Sequence, residues 1–86
     1  MPIISVFFGI TIRLFYDDHN PPHFHAEYQG KKALFDFNGN VLKGDLKSKT
    51  ATKLTSEWVA MHKKELAEDW ELAKRGVALK KIEPLE

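Results

Sequence analysis

The sequence predicts an α+β fold: an antiparallel sheet of four to five strands, ordered as a meander, packed on one long C-terminal helix. Three observations carry this. Up to about residue 46, apolar side chains alternate with polar ones at period two, the mark of half-buried strands. Short turn signals, most of them containing glycine, divide that stretch. From about Thr50 the apolar spacing changes to three to five residues and strong helix formers dominate.

Ile3 to Phe8, broken at Gly9, reads as the first strand. In the second, Ile10, Ile12, Leu14 and Tyr16 alternate with Thr11, Arg13 and Phe15. After the Asn20-Pro21-Pro22 turn, Phe24, Ala26 and Tyr28 alternate with His23, His25 and Glu27. Gln29-Gly30-Lys31 marks a turn, followed by a strand over Ala33 to Phe37. Asn38-Gly39 is the strongest short hairpin signal, expected as a type I′ turn because both central residues of that turn need positive φ. It leads into Val41 to Leu46, so strands occupy about 3–46. The helix is expected over about 50–75, with Leu54, Trp58, Met61, Leu66, Trp70 and Ala73 turned inward and Gly76 as its stop. The five-residue step from Met61 to Leu66 predicts either a bend near His62 or a stripe through 58, 62, 66 and 70. The tail, 77–86, is expected to be extended, with Leu79 and Ile82 pinned to the body. One helix laid over the apolar face of the sheet buries both patterns, which makes Trp58 and Trp70 core residues.

A chain of 86 residues is one domain with one modest core. It has no cysteine, which suits a reducing cytoplasm. The apolar start has no basic n-region and falls far short of the ~20 residues of a membrane span, so neither secretion nor a membrane is expected. Thirteen Lys and Arg against twelve Asp and Glu give a formal charge of +1, which argues against a nucleic-acid-coating protein. Two local basic clusters stand out, Lys43, Lys47, Lys49 and Lys53, and then Lys74, Arg75, Lys80 and Lys81. The plain reading of both is solvated surface.

Three histidines fall within seven residues in Asp17-Asp18-His19-Asn20-Pro21-Pro22-His23-Phe24-His25. Imidazole titrates nearest neutral pH and ligates metals, and the two prolines stiffen the segment that presents it. Residues i and i+2 of a strand share a face, so His23, His25 and Glu27 point one way. A one-residue slip would bury the histidines, so Phe24, Ala26 and Tyr28 must meet Ile10, Ile12, Leu14 and Tyr16 on the core side. That register puts Arg13 beside the imidazoles, with His19 and Asp17 or Asp18 at the rim.

Three functions fit these residues. In one the face is a protein interface, with Phe15 and Tyr16 as anchors and Arg13 as their charged neighbour. In this reading His19 bonds the turn backbone and His23 and His25 are ordinary cross-strand residues. In the second the site is a metal-independent ribonuclease, with His23 or His25 and Glu27 moving protons and Arg13 holding the phosphate. In the third His19, His23 and His25, or Glu27, hold a divalent metal such as zinc, although no complete ligand set has diagnostic spacing. No cofactor is otherwise implied.

The run His19-Asn20-Pro21-Pro22-His23-Phe24-His25, with Met1-Pro2, Ile4-Ser5, Phe7-Phe8-Gly9-Ile10 and Ile12-Arg13 before it, resembles the bacterial domain-of-unknown-function family 4160. Glu57-Trp58, His62, Glu65-Leu66, Trp70-Glu71-Leu72-Ala73 and Leu79 to Leu85 extend the resemblance over nearly the whole chain. It implies a stand-alone cytoplasmic bacterial protein. It also implies a co-encoded small partner protein, in an arrangement that suggests toxin–antitoxin-like pairs or regulators. The resemblance supplies no catalytic residues. The expected function is therefore the protein-binding component of a two-gene module, with the ribonuclease and metal-binding readings as alternatives.

Overall fold

A computed structural model describes residues 2–16 and 20–85. The fold is α+β: five strands form one antiparallel meander in the order β1-β2-β3-β4-β5, and a C-terminal helix follows. The strands are β1 (Ile3–Phe7), β2 (Ile10–Arg13), β3 (His23–Tyr28), β4 (Lys31–Asp36) and β5 (Val41–Gly44), and the helix is α1 (Lys49–Lys74). Among the described residues no helix is long and apolar enough to cross a membrane.

Two of the hairpins close through two-residue loops with both residues at positive φ, Phe8-Gly9 and Gln29-Gly30. These are the type I′ geometries, whose twist matches the strands they join. Asn38-Gly39 does not follow its expectation: Gly39 has φ 88°, but Asn38 is not at positive φ. The reason is Asp36. Its carboxylate accepts the N–H groups of Asn38 and Asn40, both at 2.9 Å, and its carbonyl accepts that of Gly39. The loop is thus a side-chain-capped turn with glycine at the bulge position. Burial works against the Asp36 charge, but the bonds from Asn40, Asn38 and Gly39 prevail and hold its pKa below the usual value.

Strict alternation would turn Ile4, Val6 and Phe8 to one face of β1. Instead the register slips between Ile3 and Ser5, so that Ile3 lies opposite Arg13 and Ser5 opposite Ile12. The extra residue resets the strand: Ile4 and Phe7 are in the core and Val6 faces out. At the other edge, a Cβ on Gly44 (φ 83°) would come within 2.5 Å of the Lys32 carbonyl oxygen, so only glycine lets β5 approach β4 this closely.

Ser48 caps α1 by accepting the Ala51 N–H at 3.0 Å. At the far end Gly76 N–H meets the Ala73 carbonyl and Val77 N–H the Leu72 carbonyl, a Schellman ending with Gly76 at φ 68°. Both readings of the Met61–Leu66 step are realised together. His62 has non-helical φ and ψ, and it is buried in line with Trp58, Leu66 and Trp70. Met61, expected inward, is exposed instead, because the bend turns His62 to the core in its place.

The core holds Ile4, Phe7, Ile10, Ile12, Leu14, Phe24, Ala26 and Phe35 from the sheet side against Trp58, Val59, Leu66 and Trp70 from the helix. Trp58 is in ring contact with Phe7 at 5.4 Å and Phe24 at 5.8 Å. The tail lies along the body. Ile82 N–H bonds the Ile4 carbonyl on the outer edge of β1, Trp58 Nε1–H bonds the Glu83 carbonyl, and Asp69 accepts the Lys80 N–H at 2.9 Å.

Asp69 is a buried carboxylate whose second oxygen has no hydrogen-bond partner. Burial raises its pKa above the ordinary 3.8, Glu68 and Glu65 add to the rise, and the Lys80 N–H and ammonium oppose it. The folded protein therefore binds this proton more tightly than the unfolded chain does. Its contribution to stability is fully present below about pH 3.8 and is lost as pH rises through the raised value. Asp69→Asn removes that dependence. Relative to the variant, the wild type is expected to gain stability on acidification from neutrality, and denaturant midpoints measured across that range check it.

Candidate recognition site on the open sheet face

The helix covers one face of the sheet and leaves the other to solvent, as antiparallel sheets allow. What stands on the open face follows from the register. Arg13 pairs with His25, Thr11 with Glu27, and Ile12 with Ala26, so the hydrophobic pattern alone places Arg13 beside His25. Across the next ladder His25 pairs with Leu34 and Glu27 with Lys32, and Leu34 in turn pairs with Lys43.

Arg13, Phe15, His25, Ala26, Glu27 and Lys32 line one pocket of about 310 Å³. Phe15, just past the end of β2, stacks its ring on His25 with centroids 4.1 Å apart and planes 27° from parallel. The imidazole is thereby held between the sheet and an aromatic plane, and the pocket carries two permanent cations against one carboxylate. A larger, shallower concavity at the start of α1 is lined by Asp45, Lys47, Ser48, Lys49, Thr52 and Lys53. It brings together no imidazole and carboxylate.

Arg13, His25 and Glu27 thus meet at one pocket, and Phe15 joins them. His23 does not line it. It is only 4% exposed, its Nδ1–H donates to the Pro21 carbonyl at 2.7 Å, and its ring lies 5.5 Å from that of Trp70. A carbonyl only accepts, so this bond fixes the proton on Nδ1. His23 thus buttresses the Pro21-Pro22 turn, the part the sequence reading gave to His19, and keeps contact with the site through His25, 5.3 Å away. Tyr16, aligned by alternation with Ile10, Ile12 and Leu14 on the core side, is 43% exposed instead, because β2 ends at Arg13 and the alternation does not reach it. His19, Asp17 and Asp18 lie outside the described residues, so of the proposed metal set only His23 and His25 are described.

Lys32 escaped the sequence reading, which began that strand at Ala33. The signal was present: a two-residue loop at Gln29-Gly30 forces Tyr28 opposite Lys31, and hence Glu27 opposite Lys32.

Among the described residues no group of three His, Cys, Asp or Glu side chains is arranged to hold a metal ion. Added zinc is expected to leave the melting temperature unchanged. A rise of several degrees that disappears in His23→Ala would establish metal binding, because a ligand held only by the folded state stabilises it.

A family model described as "Domain of unknown function (DUF4160)" matches residues 9–71, which takes in β2 to β5, the histidine run and most of α1. No curated protein and no solved structure matches the chain.

Proposed function

The chain belongs to the DUF4160 family, and on that premise we propose that it is a cytoplasmic bacterial protein acting as the binding component of a two-gene, toxin–antitoxin-like or regulatory module. Its co-encoded partner docks on the open sheet face. The observation that carries this reading is the convergence of Arg13 and Phe15 with His25 on one uncovered pocket. On the same face Val6 is exposed opposite Thr11, and Phe8 in the β1–β2 turn and Tyr16 past β2 are exposed as well, a mixture of apolar groups and a cation that suits a protein interface. Among the described residues Arg13, Lys32 and Lys43 face outward here against Glu27 and, beside the β4–β5 turn, Asp36, so the partner's contact surface carries acidic groups.

A second reading is favoured by one observation: Arg13, His25 and Glu27 line the same pocket. A metal-independent ribonuclease needs an acid, a base and a cation for phosphorane charge. His25 and Glu27 would supply the proton transfers, since His23 is engaged with Pro21 and Trp70.

Co-expression with the neighbouring gene, followed by purification of the complex, separates the two. The docking reading expects a stable complex, and no RNA cleavage by the free protein beyond that of a His23→Ala, His25→Ala control. Robust cleavage with a bell-shaped pH profile near neutrality, abolished by His25→Ala alone, would replace docking with catalysis.

A further inference from the structure

We infer that the open sheet face binds single-stranded RNA, along a track that runs across β2 to β5. This rests on the open face being the functional surface, but it concerns the free chain and needs no partner.

The register builds the track. Arg13, His25, Leu34 and Lys43 form one row across four strands, and Thr11, Glu27 and Lys32 form the row beside it. Neighbouring strands lie about 4.8 Å apart, so the row spans roughly 14 Å with a cation at each end. Lys32 stands next to the middle of it. On these two rows, among the described residues, Arg13, Lys32 and Lys43 stand against Glu27. Asp36 lies one row further on beside the β4–β5 turn, where the N–H groups of Asn38 and Asn40 engage its carboxylate. The track is thus locally basic, although the whole chain is almost neutral. A short local track and a low net charge agree: such a protein holds a few phosphates and does not coat nucleic acid.

Charge alone would suit any polyanion. The aromatic component narrows the ligand. Phe15 lines the pocket and stacks on His25, so a flat ring stands beside Arg13 at the level where an unpaired base would lie. Base stacking on an aromatic side chain, together with cations that follow the backbone, is how sheet surfaces hold single strands. A duplex keeps its bases stacked inside and offers that ring nothing. Glu27, the carboxylate of the pocket, opposes a phosphate but accepts a hydrogen bond from a ribose 2′-OH, which selects RNA over DNA. Arg13 and Phe15 also belong to the proposed docking surface, so partner and RNA exclude one another.

The test is fluorescence anisotropy of a short labelled single-stranded RNA of mixed sequence, titrated with the purified chain alone over a salt series. Three phosphate contacts release counterions to give a slope of log K on log salt of about −2. Lys43→Ala, at an exposed edge position, is expected to reduce that slope by about 0.7 while leaving the thermal midpoint unchanged. Phe15→Ala is expected to weaken binding about fivefold or more. Single-stranded DNA and duplex RNA of the same sequence are expected to bind more weakly. The inference is overturned if the free chain does not bind the RNA, if the duplex or the DNA binds equally well, or if Lys43→Ala and Phe15→Ala both bind as wild type. Because no partner is present, none of these outcomes is confounded with failure of docking.

Discussion

Trp58→Ala is expected to lower the unfolding free energy by about 3–5 kcal/mol, the usual cost of removing a large buried ring. The side chain has no solvent exposure and joins three parts of the molecule. Its ring meets Phe7 of β1 and Phe24 of β3, and its Nε1–H holds the Glu83 carbonyl of the tail at 2.8 Å. Truncation therefore opens a cavity between sheet and helix and releases the tail together. Small domains have about 5–15 kcal/mol of stability in total, so the variant should unfold at far lower denaturant. Trp58→Phe separates the two effects, because it keeps a ring and loses only the hydrogen bond, worth about 1 kcal/mol. An unchanged midpoint for Trp58→Ala would mean that the helix does not pack on the sheet as described.

Arg13→Glu is expected to weaken binding of the co-encoded partner by about 30-fold or more while leaving the thermal midpoint close to wild type. The guanidinium stands at the pocket on the uncovered face, opposite His25 and away from the core. Reversing its charge removes an interfacial anchor of at least about 2 kcal/mol and sets a carboxylate against an acidic partner. Calorimetric titration of the purified pair checks the affinity, and a thermal melt of the variant alone checks the fold.

The site was legible in the sequence as far as side-chain alternation reaches. Phe24, Ala26 and Tyr28 had to meet Ile10, Ile12, Leu14 and Tyr16; the strand ends before Tyr16, but the register of the rest is enough to set Arg13 opposite His25. Alternation gives the face of a residue but not its depth at a strand end. His23 has the right parity for the open face, yet it opens β3 beside the Pro21-Pro22 turn, where the Pro21 carbonyl and Trp70 take it up. Trp70 lies 47 positions along the chain from His23, beyond any local pattern. The Asn38-Gly39 turn shows the same limit at short range. The dipeptide favours type I′, but the Asp36 carboxylate two residues earlier selects the capped form. Asp69 was not legible at all, because its partner is the backbone of Lys80 in a tail with no periodicity. Lys32, by contrast, was there to be read once the Gln29-Gly30 loop was counted as two residues.

The central claim is that the open face of the sheet is where this protein meets its partner. Backbone amide shifts of the isotope-labelled chain, recorded as unlabelled co-encoded partner is added, test it residue by residue. The account expects the largest changes at Thr11 to Tyr16, His25 to Glu27, and Lys32 to Leu34, with the solvent-exposed side of α1 unmoved. Changes confined to α1 and the tail, with Arg13, Phe15 and His25 unaffected at saturation, would contradict it.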